Sequence, residues 1–196
     1  NAGQLNTRQV AIRIPSNTIP DPSAIKVTLT SYRQMCDIRL ISSYQLSQHL
    51  KTYLTANPGT TRLAYNASFD ENLLSQLLYK NAEDPYLGKK NNSGPQDARQ
   101  IMLLSGILAN VGKGIKIPID GNGKFDSTLS GIAGSIGSDT TKAHISSAAD
   151  VDMMRHLLQQ AFAACPELQS AAYLCQHKDL LRTRIKSEPF FLQVGF

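Results

Sequence analysis

The chain has no tryptophan, only three cysteines and no apolar run near the roughly 20 residues that a membrane span requires. Cys36, Cys165 and Cys175 are odd in number and lack metal-ligand spacing, which argues against a disulfide framework and against a zinc ribbon. They read as small buried hydrophobes in a reducing compartment. The Gly- and Ser-rich stretch from Asp120 to Asp139 has no strand leading in and no Gly-Lys-Ser/Thr following, so it is not a phosphate-cradling loop. No signal-peptide pattern opens the sequence, and a cytoplasmic location is the default expectation. What is present is ordinary for one soluble domain: 196 residues, 41% hydrophobic and 18% charged. The formal charge of +5 suits a partner carrying phosphates, although charge of this size alone is weak evidence for one.

Apolar periodicity predicts an alternation of strands and helices, hence an α/β class. Gln9 to Ile14 alternates as a half-buried strand does, and Pro15, Pro20 and Pro22 end it. Ser42 or Ser43 can cap a helix with Leu46, Leu50, Tyr53 and Leu54 on one face, stopped at Asn57-Pro58-Gly59. A short strand, Arg62 to Tyr65, turns into a helix expected over Glu71 to Lys80 that buries Leu73, Leu74, Leu77 and Leu78. The segment from Asp84 to Pro95 is a loop whose Lys89 and Lys90 can touch a nucleic-acid backbone or stay solvated. The helix after Pro95 carries Ile101, Leu104, Ile107 and Leu108, with Asp97 in its first turn. A short helix holds Leu129, Ile132 and Ile136, and a long one, about Ser147 to Ala164, buries Val151, Met154, Leu157, Leu158, Ala161 and Phe162. Another helical stretch reaches Lys186, and Phe190 to Val194 is strand-like.

The hexapeptide Tyr65-Asn66-Ala67-Ser68-Phe69-Asp70 carries the most readable chemistry. A strand passing straight into a helix sets an acid where the positive helix end faces a polar cleft, a place suited to holding a metal ion. The plainer alternative is that Asp70 only caps orphan backbone donors.

Tyr65-Asn66-x-x-Phe69-Asp70-Glu71 resembles the second motif of the exonuclease I family, single-strand-specific 3′→5′ exodeoxyribonucleases of the DEDDh superfamily. Tyr79-Lys80-Asn81-x-x-Asp84-Pro85-Tyr86 is similar to a segment peculiar to that family, and Ile19 to Ala24 to its proline-rich approach to the first helical stretch. Gly114 to Pro118, Phe125 and Leu129 follow in the family's order. Ala143-His144 and Ala149-Asp150-Val151 resemble the third motif, a histidine ahead of a metal-binding aspartate on a helix. The resemblance implies a ribonuclease-H-like mixed sheet flanked by helices, occupying 1–186 and incomplete at the amino-terminal side. Residues 187–196 would begin a second, small β-rich domain.

Two departures stand beside the matches. The family's opening Asp-x-Glu pair has no counterpart here, and the run Gln9 to Ile14 takes the place of the family's third strand. The first strands are therefore expected from another chain or from a segment outside this sequence. Secondly, Ile145 to Ala149 separate His144 from Asp150 where the family has His-x4-Asp. One extra residue inside a helix rotates a side chain by about 100°. In a loop it is harmless, and a cap at Ser146 or Ser147 would put it there.

By the resemblance, Asp70 and Asp150 bind metal, His144 takes the proton of the attacking water, and Mg²⁺ or Mn²⁺ is the cofactor. Tyr65, Asn66, Phe69 and Tyr86 would contact single-stranded DNA, the aromatics by stacking unless they are merely packed. His144 can instead be a surface histidine beside a lysine. With only two acids an ion pair is under-ligated, so a noncatalytic derivative that binds nucleic acid or protein is the alternative function. No membrane partner is expected.

Overall fold

The structure, a computed structural model, describes residues 9–15, 17–57, 62–87 and 96–169. Its helices are set by local caps. Ser42 receives the Gln45 N–H while the Gln45 side chain receives the Ser42 N–H, and this reciprocal cap opens helix α3 (Ser43–Ala56). Two short helices precede it, α1 (Pro22–Thr28) capped by Asp21 and α2 (Tyr32–Met35) capped by Ser31. Helix α4 (Ala67–Lys80) follows strand β1 (Leu63–Ala64), and α5 (Ala98–Ala109) follows β2 (Gln96–Asp97). Thr128 caps α6 (Leu129–Ser135), and Ser146 caps α7 (Ser147–Ala164).

The core lies where α5 and α6 pack against α7. Ile101 and Met102 of α5, Ile132 of α6 and Leu157 and Ala161 of α7 are fully or almost fully buried, and Leu168 closes one end. Ser105, also buried, turns its hydroxyl to the Ile115 N–H at 2.9 Å, which ties the segment after α5 back onto that helix. Gly114 makes this return possible. Its φ is +98°, and a Cβ there would sit on the Ser105 carbonyl oxygen.

Strands β1 and β2 pair in parallel, Leu63 opposite Gln96 and Ala64 opposite Asp97, with α4 between them in the chain. Among the described residues the expected mixed sheet reduces to this pair and two isolated bridges, Ile12 with Ile41 and Ile119 with Phe125. The predicted strand Gln9 to Ile14 keeps only the first of those bridges and the hydrogen bonds of Arg13 N–H to Ile41 and Ile14 N–H to Met35. Val10 and Ile12 are exposed, so the apolar alternation there marks no buried face.

Three further expectations change. Helix α4 begins at Ala67, not Glu71, and buries Ala67 and Leu78 while Leu73 stays exposed. Along α3, Leu46, Leu50 and Leu54 are half-buried, but Tyr53 points outward. Helix α7 buries Met153, and Val151 is exposed, because the apolar stripe is phased one position away from that expected at the helix start. Cys165 is buried as expected and Cys36 half-buried; Cys175, Lys89, Lys90, the stretch 170–186 and residues 187–196, expected to begin a second domain, lie outside the described residues. Among the described residues no helix is long and apolar enough to cross a membrane.

Candidate active site

A cleft of about 650 Å³ opens between three parts of the chain. The end of β1 and the start of α4 contribute Leu63, Ala64, Tyr65, Asn66, Phe69 and Asp70; the segment before α7 and its first turns contribute His144, Ser147, Asp150, Val151 and Met154; Arg99, Ser127, Thr128 and Leu129 complete the lining. Residues 80 positions apart in sequence thus meet in one space, each brought by a different element.

The turn into α4 is short because Asn66 takes a left-handed conformation, φ 63° and ψ 56°, and its side chain makes no capping bond. This places Asp70 inside the first helical turn. Asp70 therefore does not act as the helix cap, and its carboxylate is open to the cleft. Desolvation by the surrounding walls pushes its pKa up, a backbone hydrogen bond from its own N–H pulls it down, and the negative Asp97 adds a smaller upward push.

Asp150 lies in the first turn of α7, behind the Ser146 cap. The extra residue between His144 and Asp150 accordingly falls where loop passes into helix, and it does not separate the two side chains. Asp150 Oδ1 accepts the His144 backbone N–H at 3.0 Å, and Oδ2 stands 4.0 Å from His144 Nδ1. His144 is held in a left-handed conformation, φ 62°, and slightly more than half of its side chain is exposed. A non-glycine residue at such a φ carries backbone strain, which the Asp150 carboxylate helps to hold.

The aromatic candidates divide. Tyr65 donates its hydroxyl to the Ser127 carbonyl at 2.7 Å and packs against the core, so one edge of its ring is committed to structure. Burial pushes the Tyr65 phenol up to about 12, with the Arg99 charge opposing and the Asp97 and Asp126 charges adding to the rise. Phe69 also lines the cleft and is 60% exposed. Tyr86 is exposed but not part of the cleft; its N–H is taken by Asp84 in a tight turn.

Two residues shape the site beyond what the sequence shows: Asp97, expected in the first turn of its helix, is instead its cap, and Arg99 carries no motif. Asp97 is buried, and one of its oxygens accepts both the Asn66 N–H (3.2 Å) and the Arg99 N–H (3.1 Å), so a single carboxylate caps α5 and pins the turn that launches α4. Arg99 sends Nε and Nη2 to the Ser127 hydroxyl at 3.0 and 2.7 Å. Its spacing from Asp97 was the available signal; its pairing with Ser127, 28 residues later, had none.

Asp70 and Asp150 offer the hard oxygen donors that Mg²⁺ or Mn²⁺ prefers. Among the described residues no group of three or more His, Cys, Asp or Glu side chains is arranged to hold a metal ion. Two carboxylates lining one cleft match Mg²⁺ in donor type, and they are too few for an ion pair.

No protein-family model matches the chain, and no characterised protein matches it by sequence. Its fold is similar to that of E. coli exonuclease I. The structure of that enzyme in complex with a dA16 oligonucleotide is 19% identical with a TM-score of 0.67, matching 80% of this chain and 33% of the enzyme. The complex with a dT13 oligonucleotide is 19% identical with a TM-score of 0.68, matching 82% and 34%. A structure of SSB/Exonuclease I in complex with inhibitor CFAM gives 19% and 0.66. The chain spans about a third of the length of these proteins.

Proposed function

We propose that this domain serves a 3′→5′ exonuclease acting on single-stranded DNA, and that phosphodiester hydrolysis takes place in the cleft holding Asp70, His144 and Asp150. The observation that carries the reading is their convergence: two carboxylates and an imidazole from separate elements open on one space. The likeness in fold to an enzyme solved with single-stranded oligonucleotides supports the choice of substrate.

A divalent ion bound by Asp70 and Asp150 would neutralise charge developing on the phosphate and acidify an attacking water. The residues divide the remaining work. His144 Nε2 is the base that takes the water's proton, and it needs the neutral imidazole to do so. Asp150 positions it, fixing the backbone through the His144 N–H and standing beside Nδ1, where a carboxylate favours the tautomer with the proton on Nδ1. Phe69 stacks on a base, and the Tyr65–Ser127 bond keeps the opposite part of the cleft in place. A two-ion mechanism needs further carboxylates, supplied by another chain or by a segment outside the described residues. A cytoplasmic setting accords with this role.

The absence of a three-ligand cluster among the described residues favours a second reading, a noncatalytic derivative that binds single strands. One experiment separates the two. Incubated with a 5′-labelled oligonucleotide and Mg²⁺ or Mn²⁺, an exonuclease yields a ladder shortening from the 3′ end, and Asp70→Ala or Asp150→Ala abolishes it. Saturable binding with no ladder would establish the second reading, and neither binding nor cleavage would reject both.

A further inference from the structure

We propose that Arg99 is the phosphate-gripping residue of this cleft, holding a backbone phosphate of the single strand; the inference rests on the nucleic-acid reading above. Among the described residues Arg99 is the only lysine or arginine lining the cleft, whose acidic groups are Asp70 and Asp150. Two carboxylates alone repel a phosphodiester. A cation in the same space is needed to offset them when no metal is bound.

The hydrogen bonding shows a guanidinium that is aimed and not neutralised. Its Nε and Nη2 both go to one neutral acceptor, the Ser127 hydroxyl, and among the described residues it has no carboxylate partner. A guanidinium carries five N–H donors, so donors remain for an anion. Half-buried arginines are commonly paired, and one held by a serine at the edge of a cleft is preorganised for a planar, two-point grip on phosphate. The mount is fixed at both ends. The Arg99 backbone N–H is bound to the buried Asp97, and Ser127 is anchored through its carbonyl to the Tyr65 hydroxyl.

The test measures binding of a short fluorescent oligothymidylate by anisotropy in EDTA, across a salt series, so that no catalysis enters. Arg99→Gln is expected to weaken binding roughly tenfold or more. The slope of log affinity against log salt should flatten by about 0.7, the value for one phosphate contact on a single strand. Arg99→Lys, which keeps the charge and loses the fork, should keep the slope and lose part of the affinity. Ser127→Ala should also weaken binding with the slope unchanged, since it frees the guanidinium without removing it. Melting curves verify that each variant is folded; if Arg99→Gln is not, the lysine and Ser127 variants decide. Wild-type binding matched in strength and salt slope by Arg99→Gln, or unaltered by both other variants, overturns the assignment of Arg99. Failure of the wild-type protein to bind the oligonucleotide at any salt overturns the nucleic-acid reading itself.

Discussion

Replacing Asp70 by Asn should make the protein more stable at neutral pH while removing its function. The Asp70 carboxyl sits where desolvation raises its pKa from its ordinary value, with the nearby Asp97 charge contributing in the same direction. The ionised form is therefore disfavoured in the folded protein. A group of this kind adds to stability when protonated, below the unfolded value of about 3.9, and that contribution is lost as pH rises through the folded pKa. At pH 7 the penalty is fully present. Asn is nearly isosteric, can still accept the backbone hydrogen bond and carries no charge. Because the side chain is exposed along the cleft, solvent screens much of the penalty. The gain should be about 0.5 kcal/mol or less, corresponding to roughly 1–2 °C in Tm for a chain of this length. It should disappear in acid, where the wild-type carboxyl is also neutral. The second arm adds Mg²⁺ at about ten times its dissociation constant for the wild type, which should stabilise that protein by about 1.4 kcal/mol and the variant much less. Thermal melts at pH 7 and below pH 4, with EDTA or Mg²⁺, measure both effects. A variant that melts lower than wild type at pH 7, or gains as much from Mg²⁺, would show that Asp70 is a structural residue and refute the reasoning.

His144→Asn keeps a residue that tolerates the left-handed backbone, so stability should change by no more than about 0.5 kcal/mol while oligonucleotide cleavage falls by 10²-fold or more; denaturant melts and a cleavage time course measure the two. Tyr65 should remain protonated past the normal tyrosine range, titrating at about 12 in an ultraviolet phenolate titration. Its raised value means that the stability it contributes is present below about pH 10 and is lost as pH climbs through the folded pKa, and Tyr65→Phe, which leaves the Ser127 carbonyl without this donor, should cost about 1 kcal/mol at neutral pH. Gly114→Ala combines a left-handed φ with a collision against the Ser105 carbonyl, and urea unfolding should register a loss of about 2 kcal/mol or more. An unchanged midpoint would mean that the Ser105–Ile115 connection is not needed.

How far the sequence could be read depended on the range of the interaction involved. Helices whose signals are local were legible: the Ser42 cap, the short helix over Leu129 and Ile132, and the span of α7 follow from residues within a turn of each boundary. Helix α4 starts four residues ahead of the Glu71 that its apolar period marks, because Asn66 turns the chain within one residue by a left-handed conformation. Alternation in Gln9 to Ile14 described side chains only; a strand also needs backbone partners, and there the described residues supply little more than one bridge. Periodicity favours Val151 over Met153 as a core residue, but the first turn of α7 faces the cleft, so Val151 is exposed and Met153 buried. The meeting of Asp70 with His144 and Asp150 was expected only through the order of motifs in a family resemblance; periodicity and spacing could not have shown it. Arg99 is illegible for the same physical reason, since its partner Ser127 lies on another segment.

Asp97 gives the cleft an asymmetric mechanics. With one oxygen clasping the beginnings of two helices, it makes the Asp70 and Arg99 sides a single jaw that cannot spread without exposing a buried charge. The opposing jaw hangs from a run of tight turns between Thr140 and Ser146, secured chiefly by short-range bonds such as Ala143 to Thr140 and Ile145 to Lys142. Widening the cleft on the Asp97 side would thus cost a buried carboxylate its partners, whereas a shift on the histidine side would break only short-range turn bonds and the His144–Asp150 contact.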